Sequence, residues 1–249
     1  KEHTILSIKT KSNNAAISIS SSHVTLNRFT IENRAAGLYT TAIRIDASNV
    51  FIENCLFRDT PIGIAVWNDE VKIVNSIFSN CSDEGILLIS TKISSSDNNL
   101  ISNCVFIDNC DGIELQYSSG NIISDCLFEN NTHVGIDAIC ENNNQNIITN
   151  CSFFDNTDFD IYFSKSKENL ISNCIIQNSK QKIFFNPSNA SNTITMNNYA
   201  LDQTKSIHTT ESKILLSNNF MDMIRSIFSN SYQFIQTIIN SIQSKIFQS

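Results

Sequence analysis

The chain has 249 residues and a formal net charge of −7 at pH 7. That sign excludes nucleic acid as the main partner, because phosphate binding needs clustered Lys and Arg, and it argues against docking on an anionic membrane surface. Hydrophobic residues make up 41%, enough for a sizeable core, whereas only 6 Gly and 2 Pro are present, so tight corners must be made by something other than glycine. Asn and Ser are abundant, and Asn tolerates the left-handed backbone region better than most residues. No run of about 20 apolar residues occurs, so no transmembrane segment is expected. The text starts at Lys1 without a signal-peptide pattern, as a mature chain or a trimmed segment would.

Taken in chain order, "HTILSIKT" reads as a strand-bearing coil already under way. From Leu26 onward the text repeats. Leu26, Ile52, Ile73, Ile101, Ile123, Ile148, Ile171 and Ile194 form one column. Three residues later stand Phe29, Cys55, Ser76, Cys104, Cys126, Cys151, Cys174 and Asn197, and two further on Ile31, Phe57, Phe78, Phe106, Phe128, Phe153, Ile176 and Tyr199. The copies are 21 to 28 residues apart, a period that marks a solenoid. Within a copy the apolar residues alternate, as in strands. "CVF" puts Cys104 and Phe106 on one face and Val105 on the other, and the later "GIELQ" segment puts Ile113 and Leu115 inward and Glu114 outward. One copy cannot bury its own apolar face; stacked copies bury a continuous core. At about 4.8 Å per coil, eight to nine coils give a rod on the order of 40 Å.

Between the Ile and Cys columns lie Asn54, Asn75, Asn103, Asp125, Asn150 and Asn173, expected to hold a left-handed corner; Arg28 and Met196 replace them at the two ends. After the coils, from Asn219, Ile224, Phe228, Ile235, Ile238, Ile242 and Ile246 recur at helical spacing. The predicted division is therefore a β-helix over 1–218 and an amphipathic helical segment over 219–249, which caps the last coil or docks on a partner.

The pattern N-x-I-x-x-C-x-F followed by G-I-x-L resembles the right-handed parallel β-helix repeat families, with their PbH1 repeats, which include pectate-lyase-like proteins and NosD-like carbohydrate-binding and sugar-hydrolase domains. The resemblance covers about residues 3 to 217. It implies an all-β, right-handed parallel β-solenoid with a C-terminal helical cap, and it is specific for fold rather than function. A left-handed helix would carry an 18-residue hexapeptide period, which is absent. Relatives often begin with a capping helix, so the first coil here either has lost its cap or meets another chain.

Of 8 cysteines, Cys55, Cys104, Cys126, Cys151 and Cys174 are expected to pack inward as reduced, hydrophobe-like side chains. Cys81, Cys110 and Cys140 lie off that column, and Cys81 and Cys110 are near enough in the stack to pair in an oxidising compartment. No C-x-x-C or H-x-x-x-H spacing points to zinc. NosD-like relatives are linked to copper handling, but His3, His23, His133 and His208 fall in different coils and are not expected to converge. No cofactor and no metal centre is predicted, with calcium at Glu84, Asp108 and Asp111 as the one exception to test. The sequons at Asn80, Asn130, Asn150 and Asn189 are of the kind that Asn- and Ser-rich text produces by chance.

Candidate chemistry falls on the outward column of the G-I strands: Arg44, Ala65, Leu87, Glu114, Asp137, Tyr162 and Phe184, followed by Trp67, Ile89, Gln116, Ile139 and Ser164. Glu114 and Asp137, one coil apart, are the candidate catalytic carboxyls, because close carboxylates cannot both ionise freely. Trp67, Gln116 and Tyr162 are the candidate ligand-binding residues, with rings to stack on sugars. Arg44 lies three coils from Glu114, too far for the acid–base pair of a lyase, and the Asp-Pro-His type motif of β-helix epimerases is absent. The leading expectation is an extracellular or cell-surface module that binds a polysaccharide or glycan, or assembles with neighbouring chains, without catalysis. The alternatives are a polysaccharide hydrolase or lyase using Glu114 and Asp137, and a structural spacer of a larger surface protein.

Overall fold

The computed structural model describes residues 4–91, 95–177, 181–185, 193–194 and 199–201. The predicted segment 219–249 and its boundary at 218, together with His3, His208, Asn189, Met196 and Asn197, lie outside the described residues. Among the described residues every regular element is a strand, and no helix is long and apolar enough to cross a membrane.

Each turn of the chain contributes three strands. One turn runs Leu100–Ser102, Val105–Ile107 and Asp111–Gln116, and the next Ile122–Ser124, Leu127–Glu129 and Val134–Ala138. Strands of successive turns pair in parallel and build three sheets: sheet A with nine strands (Val105–Ile107 among them), sheet B with eight (Asp111–Gln116) and sheet C with eight (Leu100–Ser102). About seven turns of this right-handed β-solenoid lie between Thr4 and Gln177.

Register follows the sequence columns. Ile52, Ile73, Ile101, Ile123, Ile148 and Ile171 are paired rung to rung in sheet C. Phe57, Phe78, Phe106, Phe128 and Phe153 stack in sheet A with ring centroids 4.8–4.9 Å apart and interplanar angles of 5–9°. The last rung departs from the expected alignment: Ile176 pairs with Ala200, and Tyr199 with Ile175. The Phe stack needs glycine opposite it. A Cβ on Gly112 would stand 2.6 Å from the Phe128 ring and 2.5 Å from Gly135 O, closer than a packed interior allows.

The predicted corner residues Asn54, Asn75, Asn103, Asp125, Asn150 and Asn173 all adopt positive φ, between 50° and 55°. Arg28 takes the same conformation at φ 64, so the corner outlasts its asparagines. Two further Asn rows are buried and face inward, unlike the corner row. In the first, Asn99, Asn121, Asn146 and Asn169 each accept, through Oδ1, the backbone N–H of the preceding rung at 2.8–2.9 Å. Asn109, Asn131 and Asn156 repeat this between sheets A and B at 3.0–3.2 Å. These rows satisfy backbone donors that a glycine-poor turn would leave orphaned in the interior.

All eight cysteines are free. The five ladder thiols are buried, and each donates toward a carbonyl two residues upstream, as Cys104 Sγ does to Ser102 O at 3.3 Å. Burial holds the Cys55, Cys126 and Cys151 thiols above their ordinary value. The possible Cys81–Cys110 bond is not formed; Cys81 is fully enclosed while Cys110 is only half-buried.

Candidate functional site on the outward face of sheet B

Sheet B presents three outward rows. Across the rungs, Arg44, Ala65, Leu87, Glu114, Asp137, Tyr162 and Phe184 are register partners, and Ile89 pairs with Gln116. The third row was not foreseen. Glu84 pairs with Asp111, and Ile62, at the same offset one turn earlier, clusters with Ala65 and Leu87 outside the core. The glycine after each of these positions faces the Phe stack together with the next Ile. Two successive inward residues put the outward positions three apart, and Glu84 and Asp111 come onto the sheet face beside Leu87 and Glu114 instead of remaining in the corner.

Five carboxyls thus share one patch: Asp83, Glu84, Asp111, Glu114 and Asp137. Three of them are buried, for Glu84 is 5%, Asp137 3% and Glu114 9% exposed. Glu84 is pushed up to about 11, first by burial and then by its hydrogen bond and repulsion with Glu114, so it is a neutral acid at pH 7. Asp137 is pushed up to about 7 by burial, reinforced by the charges of Asp111 and Glu114 and opposed by His133. Asp83 and Asp111 are also raised, burial being the largest cause. Glu84 Oε2 and Asp137 Oδ1 make no hydrogen bond. Among the described residues no Lys or Arg is in ion-pair reach of this cluster. Gln116 is tied to it, donating from Nε2 to Glu114 Oε1 at 2.6 Å.

A row of titratable groups borders the patch where the chain enters sheet B. His133 Nδ1 lies 2.8 Å from Asp111 Oδ1, and its Nε2 lies 3.9 Å from Asp158 Oδ2. Asp111 Oδ1 also accepts the Val134 N–H at 2.8 Å. Cys110, Asp111 and His133 bring one ligand atom each to within 4.8 Å of one another, and no other such trio occurs among the described residues. Of the two described histidines, His23 and His133, which lie in different coils, His133 converges with groups that sequence spacing did not connect to it. Asp108 does not join Glu84 and Asp111. It occupies an exposed left-handed corner at φ 57 beside sheet A, so the predicted calcium set is reduced to two residues.

The predicted sugar-stacking rings lie on the same face but apart. Trp67 and Tyr162 are four rungs from each other, roughly 19 Å at about 4.8 Å per rung. Trp67 lines a groove of about 290 Å³ with Tyr39, Thr41, Arg44 and Leu87. The Arg44 guanidinium sits 4.6 Å from the Trp67 ring centroid and is held there by Asp46, at 2.7 Å. One face of the indole is therefore taken by a cation–π contact. At the other end Tyr162 stacks on Phe184 at 5.3 Å, with Phe159 tilted against both. The face thus reads, along the stacking axis, as aromatic groove, carboxyl patch and aromatic cluster.

The solenoid defines a class, the right-handed parallel β-helix. The sequence profile described as right handed beta helix region matches residues 1–140 and 90–221, and the chain belongs to that family. No curated protein matches the sequence. Among solved structures the chain resembles the periplasmic alginate epimerase AlgG, with 11% identity and a TM-score of 0.63, over 76% of this chain and 48% of that one. It also resembles endopolygalacturonase I from Stereum purpureum, at 15% identity and TM-score 0.45, over 77% and 69%. A third is the tailspike protein of Acinetobacter baumannii bacteriophage Fri1, a capsular polysaccharide depolymerase, at 11% and 0.40, over 76% and 50%. The chain spans about half the length of the epimerase and of the tailspike. At these identities the likeness is one of fold.

Proposed function

We propose that the chain is a glycan-binding β-helix that holds a polysaccharide along the outward face of sheet B without cleaving it. The observation that carries this reading is the placement of aromatic side chains at both ends of one row of carboxyls and a carboxamide. Rings stack on the apolar faces of sugars, and the half-buried Gln116 carboxamide beside the carboxyls is placed to hydrogen-bond their hydroxyls. With a net charge of −7 and five carboxyls at its centre, this face suits a neutral or amino-sugar polymer and repels a polyuronate. Fold analogy with a protein described as an alginate epimerase favours a carbohydrate partner as a class, and the Asp-Pro-His motif that this chain lacks argues against epimerase chemistry. We place the module outside the cytoplasm, on a cell surface or in the extracellular space. Burial argues against catalysis, because an acid or base must touch its substrate, and Glu114 and Asp137 offer little surface.

One observation favours the second reading, a hydrolase or lyase. Asp137, held near 7 beside Glu114, is suited to proton donation next to a second carboxyl. A panel of neutral, basic and acidic polysaccharides separates the two. Binding without oligosaccharide release, weakened about tenfold or more by Trp67→Ala or Tyr162→Ala, supports the module. Release abolished by Asp137→Asn establishes the enzyme. Silence across the panel leaves the assembly or spacer role.

A further inference from the structure

We propose that Cys110, Asp111 and His133 form a binding site for a borderline-soft divalent cation such as Zn2+, with an open coordination position facing solvent. The inference does not depend on whether a glycan binds nearby. A four-coordinate zinc with donors at about 2.0–2.3 Å holds its ligand atoms roughly 3.3–3.8 Å from one another. Here the thiol, carboxylate and imidazole atoms already lie within 4.8 Å, and the closest pair, His133 Nδ1 and Asp111 Oδ1, is a 2.8 Å contact that a cation would open slightly. The mix of sulfur, nitrogen and oxygen donors selects zinc or a similar late transition metal over calcium or magnesium, which want oxygen alone.

The surroundings fit a cation independently of the donor set. The backbone N–H of Val134 fixes Asp111, and Asp158 lies on the far side of the imidazole, 3.9 Å from Nε2, beyond hydrogen-bond distance but a further carboxyl beside the site. Glu84, paired in register with Asp111, is buried and keeps Oε2 unpartnered, as Asp137 keeps Oδ1. Asp111 has no Lys or Arg in ion-pair reach among the described residues, so a bound cation would balance its carboxylate. Entry is open, because the His133 side chain is 43% exposed and Cys110 only half-buried.

The test uses the full chain after chelator treatment, titrated with Co2+ and then Zn2+. The expected result is a saturable cobalt–thiolate charge-transfer band in the near ultraviolet that Zn2+ abolishes. Cys110→Ser removes the band. His133→Ala weakens Zn2+ binding at least tenfold, and Cys140→Ser, at the other half-buried thiol, leaves both unchanged. Zn2+ also protects Cys110 from alkylation in the unaltered chain, read by mass spectrometry, so the test survives a variant that fails to fold. The proposal is overturned by a chain that shows no saturable band, by a band that persists in Cys110→Ser, or by Ca2+ competing equally with Zn2+, which assigns the cation to the carboxyls alone.

Discussion

Asp137 shows how position on a sheet changes what a residue does. As an outward strand residue it would be an ordinary exposed carboxylate; beside Asp111 and Glu114 and 3% exposed, it holds its proton up to about 7. Between its ordinary value of 3.8 and about 7 the folded chain keeps a proton on Asp137 that the unfolded chain has released. The native state binds more protons in this window, so stability falls as pH rises through it. Glu84 extends the same trend, from 4.5 to about 11. Asp137→Asn is therefore expected to raise stability at pH 8 by on the order of 2–4 kcal/mol and to flatten the decline across the lower window. Denaturant unfolding of both chains between pH 4 and 8 measures this; parallel profiles would mean that Asp137 ionises freely.

At the scale of the element, one residue type does two jobs a few positions apart. In "NLISNC", Asn99 is buried and accepts the Val71 N–H at 2.8 Å, whereas Asn103 is a half-exposed corner at φ 51. Their costs on substitution should differ in kind. Asn121→Ala leaves the buried Asn99 N–H without its 2.9 Å acceptor and removes the carboxamide bonds to Ser118 and Asn146, a loss of roughly 2–5 kcal/mol at about 1–3 kcal/mol per unsatisfied group. Asn103→Ala loses only left-handed tolerance, about 1 kcal/mol, and Asn103→Gly is close to neutral. Thermal unfolding of the three variants would rank them. The periodicity displayed both asparagines equally, because both recur once per coil; which one turns inward depends on the path of the backbone between strands.

At the scale of the whole molecule, each described coil is stabilised chiefly by the coil on either side. The first strands are poorly covered: Thr4–Ile8 has no buried residue, whereas Val105–Ile107 is buried throughout. In the chain Lys1–Ser249, amides of Leu100–Ser102, Val105–Ile107 and Asp111–Gln116 are expected to exchange slowest. Those of Thr4–Ile8 and Thr25–Asn27 should exchange fastest, by a factor of at least about 100 for a difference of about 3 kcal/mol in opening free energy. Uniform protection along the stack, read by hydrogen–deuterium exchange, would show all-or-none opening instead.

The sequence by itself determined the solenoid, its parallel register through the Ile and Phe columns, the left-handed Asn corners and the outward row that carries Glu114 and Asp137. Each of these depends on which face a residue takes, and period-two alternation within a fixed repeat records that face directly. Only the tertiary structure decided depth and convergence. The 23-residue offset that stacks Asp137 on Glu114 also brings His133 one rung from Cys110, but it does not tell that their ligand atoms turn toward Asp111. Nothing in the alternation tells that Glu84 joins the sheet face, that Asp108 does not, or that Arg44 lies over Trp67. Those outcomes depend on turn geometry and on contacts between neighbouring rungs, which stacking creates and a linear period does not encode.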